Sequence, residues 1–300
     1  MLNTAIVILN YNTKDLSKNC IESIVSKKWK NHFSVYFVDN GSSDGSAEFI
    51  KSKYKEVKII SNTSNLGYTG GYNSAIKKIY KNFDYLLLLN SDTLVTEGSL
   101  DSLAGFARNR DLGISSCRLE NVSEELQPNA GSLPYPPAAF FWISGLDDIF
   151  KKIIHLPTFH ETNMKFYNDE KIVGWVSGAA MLIRRDVFKK IGFFDENIFM
   201  YAEDVDYCWR AVKAGFKVGW TGNARIIHLE GASSKANRKA NQWLGEFKGI
   251  VYLYSKYFGK TQSFIARIVI KKFVLIRIIA FYLASKREYA NTYAKIFNQI

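Results

Sequence analysis

Three hundred residues, 47% hydrophobic and 15% aromatic, suffice for one large domain with an appendage and for a sizeable buried core. The net charge of +12 sits in the tail: residues 235–300 hold 13 Lys and Arg against Glu246 and Glu288, whereas residues 1–234 hold 27 basic and 26 acidic residues, which argues against a body that wraps nucleic acid. Cys20, Cys117 and Cys208 are widely spaced, so a reducing compartment is expected rather than a disulfide framework; no stretch is apolar enough for a spanning helix, and MLNTAIVILNYN lacks the basic n-region of a signal peptide.

The first hundred residues alternate in period. TAIVIL (4–9) reads as a strand and DLSKNCIESIVSK (15–27) as a helix. FSVYFVD (33–39) is a second strand, followed by a short helix over 46–54 with Asp44 as its cap. VKIIS (57–61), a helix over 71–80 and YLLLL (85–89) continue the series, and GISSC (113–117) offers another strand. Strands alternating with helices predict an α/β fold, a mostly parallel sheet with helices on both faces. Residues 120–170 contain all five prolines and several aromatics; a long, partly ordered excursion of this kind often shapes a binding site. Regular pattern returns at VGWVSGAAMLIRRDVFKKIG and EDVDYCWRAVKAGFKVGW.

The strand ends share a chemistry. ILNYN, VDNGSSDGS, SNTSNLGYTGGYN and LNSD each place Asn, Asp or Gly where the chain leaves the sheet, the edge at which open α/β sheets bind ligands. Asn90-Ser91-Asp92 ends the Leu86–Leu89 run; it reads either as a turn or helix cap or as a place for a hard metal ion. Asp39 is either a turn residue ahead of Asn40-Gly41 or an acceptor for the imide N3–H of uracil or thymine, a hydrogen that cytosine lacks. NLGYTGGYN (65–73) is glycine-rich before a helix, which favours an anion, but lacks the Lys of a GxxxxGK[ST] loop. Glu203, Asp204 and Asp206 fall in the first turn of a helix, where they complement its dipole or supply a general base. His228 in RIIHLEGASS is a structural histidine or a ligand.

VILNYN, VDNGSSDGS, NLGYTGGYN, LLLLNSDT, SGAAMLIRRDVFKKIGFFDE, MYAEDVDYCWR and HLEGASS occur in this order. Together they resemble the family 2 glycosyltransferases, in particular the bacterial rhamnosyltransferase-like branch, over residues 4–234. The resemblance implies a GT-A fold and inverting transfer from a UDP- or dTDP-sugar, dTDP-rhamnose favoured. The acceptor would be a glycan or lipid-linked hydroxyl in cell-surface polysaccharide synthesis. It implies that Asp39 reads the base beside the backbone of Leu9 and Asn10 and the side chain of Asn40, and that Asn65, Gly67 and Asn73 lie next to the sugar and ribose. It places Asn90, Ser91 and Arg210 on the donor side, and Trp175, Gly178 and Trp209 on the acceptor side. Asp204 would be the base, with Glu203 its catalytic neighbour. Asp92 and His228 would hold Mg2+ or Mn2+, although Asn90 replaces the first acid of the Asp-x-Asp motif and so weakens the expected grip on metal. A catalytically inactive, carbohydrate-binding relative is the alternative. A Rossmann dehydrogenase is disfavoured because NYNTKD, not GxGxxG, follows the first strand.

The expected division is a catalytic domain over 1–245 and a basic, aromatic helical extension over 246–300. FIARIVIKKFVLIRIIAFYLASKR (264–287) is apolar but interrupted by Arg267, Lys271, Lys272 and Arg277. It is therefore expected to lie on the inner, anionic face of a cytoplasmic membrane rather than to span it, with Tyr252, Tyr254, Tyr257, Phe258, Phe264, Phe273, Phe281 and Tyr282 at the interface. Packing on the catalytic domain, or a homodimer, is the competing use of these helices. No nucleic-acid motif accompanies the charge.

Overall fold

The computed structural model describes residues 2–146, 158–229 and 235–300. Strand β1 (Asn3–Asn10), helix α1 (Lys14–Val25), β2 (His32–Asp39), α2 (Ser46–Lys53), β3 (Lys58–Ser61), α3 (Gly67–Ile79), β4 (Tyr85–Asn90), β5 (Thr93–Val95) and α4 (Ser99–Asn109) make the first half. Then follow β6 (Ile114–Glu120), β7 (Leu126–Gln127), β8 (Ala130–Gly131), α5 (Pro136–Ser144), β9 (Lys171–Val173), β10 (Trp175–Val176) and β11 (Ala180–Arg184). Helix α6 (Arg185–Ile191), α7 (Glu203–Lys213), β12 (Val218–His228), α8 (Lys235–Phe258), α9 (Lys260–Leu283) and α10 (Arg287–Gln299) complete the described chain.

The chain forms two compact units: residues 1–131, 160–199 and 203–231 in one, and 132–159, 200–202 and 232–300 in the other. The expected boundary at 245/246 falls inside the continuous helix α8. Part of the proline-bearing excursion and the short segment 200–202 group with the tail.

The first unit is built on a ten-stranded sheet in the order β3-β2-β1-β4-β11-β6-β12-β5, with β7 on β6 and β9 on β12. β3, β2, β1 and β4 are mutually parallel, as the alternating sequence predicts. β11 is antiparallel to both β4 and β6, and the sheet is mixed from there on. Leu86–Leu89 and Ala5–Ile8 are fully buried; strands covered on both faces need such unbroken apolar runs. The core under α1, α2 and α4 is formed by Cys20, Ile21, Phe37, Leu87, Leu103 and Ile226 among others. All three cysteines are free and buried, and burial pushes the Cys20 and Cys117 thiols up to about 12. Asp44 accepts from Ser46 N at 3.1 Å and from Lys14 N at 2.9 Å, so one carboxylate serves the starts of α2 and α1 together.

In the second unit α8, α9 and α10 pack on one another and α5 packs on α9. Phe247, Ile250, Leu253, Ile270, Val274 and Ile296 form its interior. Of the eight aromatics expected at an interface, only Phe264 and Tyr282 are exposed. Tyr254 is buried, Phe273 meets Phe140 at 6.1 Å, and Phe281 stacks on Tyr293 at 5.5 Å, because these residues lie on the faces the helices turn to each other.

Candidate active site

Strand direction gathers the polar ends of the sheet on one edge. Asn10 pairs in register with Asp39 and Asp39 with Ser61, while Asn90 lies opposite Leu9. Because β11 runs the other way, the residues that enter it reach this same edge: Ala180 sits opposite Leu89, and Asn90 N donates to Ala179 O at 3.0 Å. β6 and β12 again run in the direction of β4, which brings His228 to the same edge. The edge therefore collects residues from positions 10, 39, 90–92, 178 and 228.

On the β1–β4 side, the side chains are committed to one another. Asn10 is fully buried; its amide nitrogen faces Asp39 Oδ1 at 3.2 Å, Ser42 Oγ at 2.9 Å and Ser46 Oγ at 2.8 Å. Its Oδ1 accepts from Thr13 Oγ1 at 2.7 Å and Ser17 Oγ at 2.8 Å. Thr13 Oγ1 in turn lies 2.9 Å from Ser91 Oγ, which ties β1 to the end of β4. Asn40 donates to Asn65 Oδ1 and Gly67 O, both at 3.0 Å, and accepts from Asn62 Nδ2 and Leu66 N at 3.0 and 3.2 Å. It thereby folds the glycine-rich loop onto the strand edge. Gly67, at φ +70°, allows no side chain, since a Cβ there would lie 2.6 Å from the Phe199 ring. A Cβ on Gly71 would meet Leu9 at 2.6 Å. Asn73 turns to the loop after α6, bonding Phe194 N and O at 3.0 and 2.9 Å and Glu196 at 2.8 Å. Asp39 is held more loosely: its contacts with Asn10, Ser42 N and Ser46 Oγ are 3.2, 3.4 and 3.5 Å. A carboxylate has about four lone-pair positions, so these long contacts leave capacity for a ligand donor.

The metal candidates meet across the β5–β12 pair. Thr93 lies opposite His228, and Leu229 N donates to Asp92 O at 2.8 Å. This brings His228 Nε2 to 3.3 Å from Asp92 Oδ1, with both side chains half-buried. Gln127, which nothing in the sequence singled out, fixes the imidazole. Its Oε1 is 2.9 Å from His228 Nδ1 and its Nε2 donates to His228 O at 3.0 Å. An amide oxygen on Nδ1 suits a proton there, the tautomer in which Nε2 would be the ligand atom for a cation shared with Asp92. Among the described residues no group of three or more His, Cys, Asp or Glu is placed to hold a metal. One carboxylate and one imidazole are nonetheless a donor set that suits Mn2+, and Mg2+ is usually held by one or two carboxylates with phosphate oxygens and water completing the shell.

The three acids of α7 differ in surroundings. Asp206 is buried and pairs with Arg210 at 2.9 Å. Glu203 is buried, whereas Asp204 is half-buried. Asp204 Oδ2 accepts from Gly178 N at 3.1 Å and Oδ1 from Val205 N at 2.8 Å. Burial raises its carboxyl above the ordinary aspartate value, with these two N–H groups partly opposing the shift. Tyr68, the second residue the sequence did not mark, donates to Gly178 O at 2.8 Å. A Cβ on Gly178 would overlap that hydroxyl, so only glycine lets Tyr68 and Asp204 meet at one residue.

Three further candidates are buried or engaged with other parts of the chain. The Trp209 indole is fully buried. Arg210 holds the turn after α6, donating to Ile191 O at 2.9 Å and Phe193 O at 2.8 Å besides its ion pair. Trp175 is buried edge-to-face against His160 at 5.0 Å, and burial lowers that histidine to about 4.

A mixed sheet that gathers carboxylates, an imidazole and a glycine-rich loop at one edge is the GT-A architecture. The chain belongs to the glycosyl transferase family 2, whose model matches residues 5–192. It is 28% identical over 216 residues to an N-acetylglucosaminyl-diphospho-decaprenol L-rhamnosyltransferase of Mycobacterium tuberculosis, covering 67% of this chain and 68% of that protein. It is 24% identical over 231 residues to the rhamnosyltransferase WbbL of Escherichia coli, covering 74% and 82%. The low-salt glycan biosynthesis hexosyltransferase Agl10 of Haloferax volcanii is 25% identical over 92% of this chain and 84% of its own. The crystal structure of GalNAc-T7 with UDP, GalNAc and Mn2+ aligns with a TM-score of 0.60 at 15% identity, over 85% of this chain. This chain spans about half, 48%, of that one.

Proposed function

We propose that this protein transfers a sugar, with inversion, from a UDP- or dTDP-sugar to a hydroxyl of a glycan or lipid-linked acceptor in cell-surface polysaccharide synthesis, with dTDP-rhamnose the favoured donor. The observation that carries the reading is Asp204: the least buried of three clustered carboxylates, held by Gly178 N–H beside the strand edge, with its carboxyl raised by burial. Asp204 takes the proton from the acceptor hydroxyl as its oxygen attacks the anomeric carbon. The sugar–phosphate bond breaks on the opposite side, and the nucleoside diphosphate leaves with the bonding electrons. One displacement inverts the centre without a glycosyl-enzyme intermediate, unlike the retaining hydrolases. Asp39 accepts the imide N3–H of the base. Asp92 and His228 would hold Mg2+ or Mn2+, which supplies charge stabilisation to the departing diphosphate. The names of the rhamnosyltransferase relatives support the donor sugar and the lipid-linked acceptor. A panel of UDP-, dTDP-, GDP- and CDP-sugars, read by released nucleotide in the presence of Mg2+ or Mn2+, tests the reading. Release from a UDP- or dTDP-sugar is expected, dTDP-rhamnose fastest; binding without release from any donor would favour a carbohydrate-binding partner instead.

The same reading places the protein at an anionic membrane surface. Helix α9 has no acidic residue, and it exposes Phe264, Ile265, Ile268, Leu275, Ile276, Ile279, Tyr282 and Leu283. At 100° per residue these fall on one face, opposite the buried Ala266, Ile270 and Val274. Lys272 on that face is exposed, as are Lys286 and Arg287 just beyond its end. No helix among the described residues is long and apolar enough to cross a membrane. An apolar face with basic residues and no acids suits a layer of anionic headgroups. The full chain is expected to sediment with phosphatidylglycerol vesicles at low salt, and the Ile268→Asp, Ile276→Asp double variant to stay in solution. Equal sedimentation of both, or a variant that only changes oligomeric state by light scattering, would discard the membrane reading.

A further inference from the structure

Tyr68, the residue after Gly67 in the first turn of α3, is anchored twice. Its backbone N–H donates to Phe199 O at 2.9 Å, and its ring packs against Tyr72 at 4.6 Å and edge-on to Phe194 at 6.0 Å. From that position its hydroxyl donates to Gly178 O at 2.8 Å. Gly178 lies between β10 and β11, and its neighbours are held elsewhere: Ser177 N donates to Asn129 O at 2.8 Å, and Ala179 O accepts from Asn90 N at 3.0 Å. Gly178 itself gives its N–H to Asp204 Oδ2 at 3.1 Å and its carbonyl to Tyr68. The two bonds flank one Cα, and a Cβ on it would overlap the Tyr68 hydroxyl and lie 2.8 Å from Tyr68 Cζ. Burial, with Tyr72, Glu203 and Asp204 adding to it, raises the Tyr68 phenol well above the ordinary tyrosine value, so the hydroxyl keeps its proton and remains a donor. All of these residues belong to the first unit.

We propose that Tyr68 is a positioning residue for the reaction: by holding the Gly178 carbonyl it aims the Gly178 N–H at Asp204 and so fixes the carboxylate that takes the acceptor proton. The inference rests on the reading of Asp204 as the base. Glycine has more backbone freedom than any other residue, so an N–H presented by glycine orients a carboxylate only where something else fixes the peptide. The Tyr68 hydroxyl does this from the glycine-rich loop, whose Gly67 O accepts from Asn40 Nδ2 at 3.0 Å. The N–H also stabilises the ionised carboxylate and opposes the rise that burial imposes on it. Loss of the hydroxyl therefore acts twice on Asp204: the carboxylate is less well placed, and it takes up a proton more readily. Asp39 and Asn40, on the proposed donor side, are held by other bonds. Turnover should therefore respond to the Tyr68 hydroxyl and donor affinity should not.

The test uses the full chain as Tyr68→Phe, which removes one oxygen and keeps the ring contacts, and as Gly178→Ala, whose Cβ displaces the hydroxyl from the other side. Steady-state kinetics give kcat, the donor KM and the pH profile of kcat, and hydrogen exchange over residues 177–179 reads the peptide directly. Tyr68→Phe is expected to lower kcat by about tenfold or more, since small misplacements of a reacting group are costly. The donor KM should stay within about twofold, the signature of a loss confined to the transition state. The acid limb of kcat should move to higher pH, because a carboxylate that loses an N–H bond is protonated more easily. The other ionisable groups around this bond, Tyr72 on α3 and Glu203, Asp206, Cys208 and Arg210 on α7, are the same in the variant. A merely structural role would lower stability and leave the limb in place. Gly178→Ala should move the limb in the same direction. A folded Tyr68→Phe with parental kcat, or with a slower kcat and a parental limb, would overturn the inference. If Tyr68→Phe does not fold, Gly178→Ala decides by the same readings. If the parent turns over no donor, or Asp204→Asn matches it, the base reading fails instead. Exchange at Gly178 in Tyr68→Phe then decides alone: faster exchange supports the hold on this peptide, and unchanged exchange refutes it.

Discussion

The two halves of the sheet edge use their polar residues in opposite ways. On the β1–β4 side, Asn10 and Asn40 spend their amides on neighbouring side chains and backbone, and both are buried. On the β11–β12 side, Asp92, His228 and Asp204 are half-buried, and the bonds that hold them come chiefly from backbone N–H groups and Gln127. The first half ties the edge together, and the second leaves carboxylate and imidazole groups partly exposed at it. A polar residue at a strand end is thus not in itself a ligand residue. What its lone pairs and protons already do decides the matter.

The largest expected effect falls on the second half. Asp204→Asn keeps the shape and removes the carboxylate proposed as the base, so kcat should drop by about 10²–10⁴-fold with donor affinity little changed. Near-parental turnover would move the role to Glu203. The parent enzyme should also lose activity on acidification through a titration lying above the ordinary aspartate range, because burial raises this carboxyl and only the ionised form accepts a proton. A pH–rate profile of kcat checks the direction, and an acid limb at or below the usual aspartate value would contradict it.

A smaller loss is expected one shell out. Gln127→Ala leaves both metal candidates in place but frees the His228 ring, and should weaken metal-dependent donor binding by about 10–100-fold, as removal of outer-shell partners does. Calorimetry of UDP binding with and without Mn2+ reads this; Asp92→Ala and His228→Ala should lose the metal dependence itself. If EDTA has no effect on donor binding by the parent protein, the metal assignment is wrong.

The first half should instead answer in stability and base preference. Asn10→Ala strands the hydroxyls of Thr13, Ser17 and Ser46 beside a void, and should cost about 2–4 kcal/mol in a denaturant titration, within the range for broken buried networks. Asp39→Ala should be milder for the fold and should narrow the preference for UDP and dTDP over CDP by about tenfold, the weight of one charge-assisted hydrogen bond. Unchanged discrimination would place base reading elsewhere.

Much of this was legible before any coordinates. The alternation of periods over residues 4–89 located the first four parallel strands and the helices between them to within a few residues, because a strand buried on both faces and an amphipathic helix leave different traces, whereas the helix over Ser99–Asn109 was not read. The strand-end residues were legible for the same reason, since a parallel arrangement sends them to one edge. The resemblance carried Trp209 and Arg210 to the cleft together with Asp204 in MYAEDVDYCWR, whereas residues five and six along a helix from Asp204 point to other faces; the indole is buried and the guanidinium holds a loop. Gln127 sits in a two-residue strand whose partner is β6, and so short a strand has no period to read. The exposed face of α9 was obscured because its basic residues do not form a stripe; only the packing of α8 and α10 shows which apolar residues are left outside.

The reversal of a single strand decides which part of the chain supplies the edge beside Asp204. Because β11 runs against β4, the residues that reach the edge beside Asp204 are those arriving from the long stretch after β6, not those leaving a strand toward a helix. The residues that approach β11 thus set what stands beside Asp204, while the pairing of Leu86 with Ile183 holds the strand itself. At the other end of the edge Asn10, Asp39 and Asn40 are linked to one another through the ends of β1 and β2. On the proposed roles, substitutions just before β11 should alter acceptor preference and leave donor binding as it is.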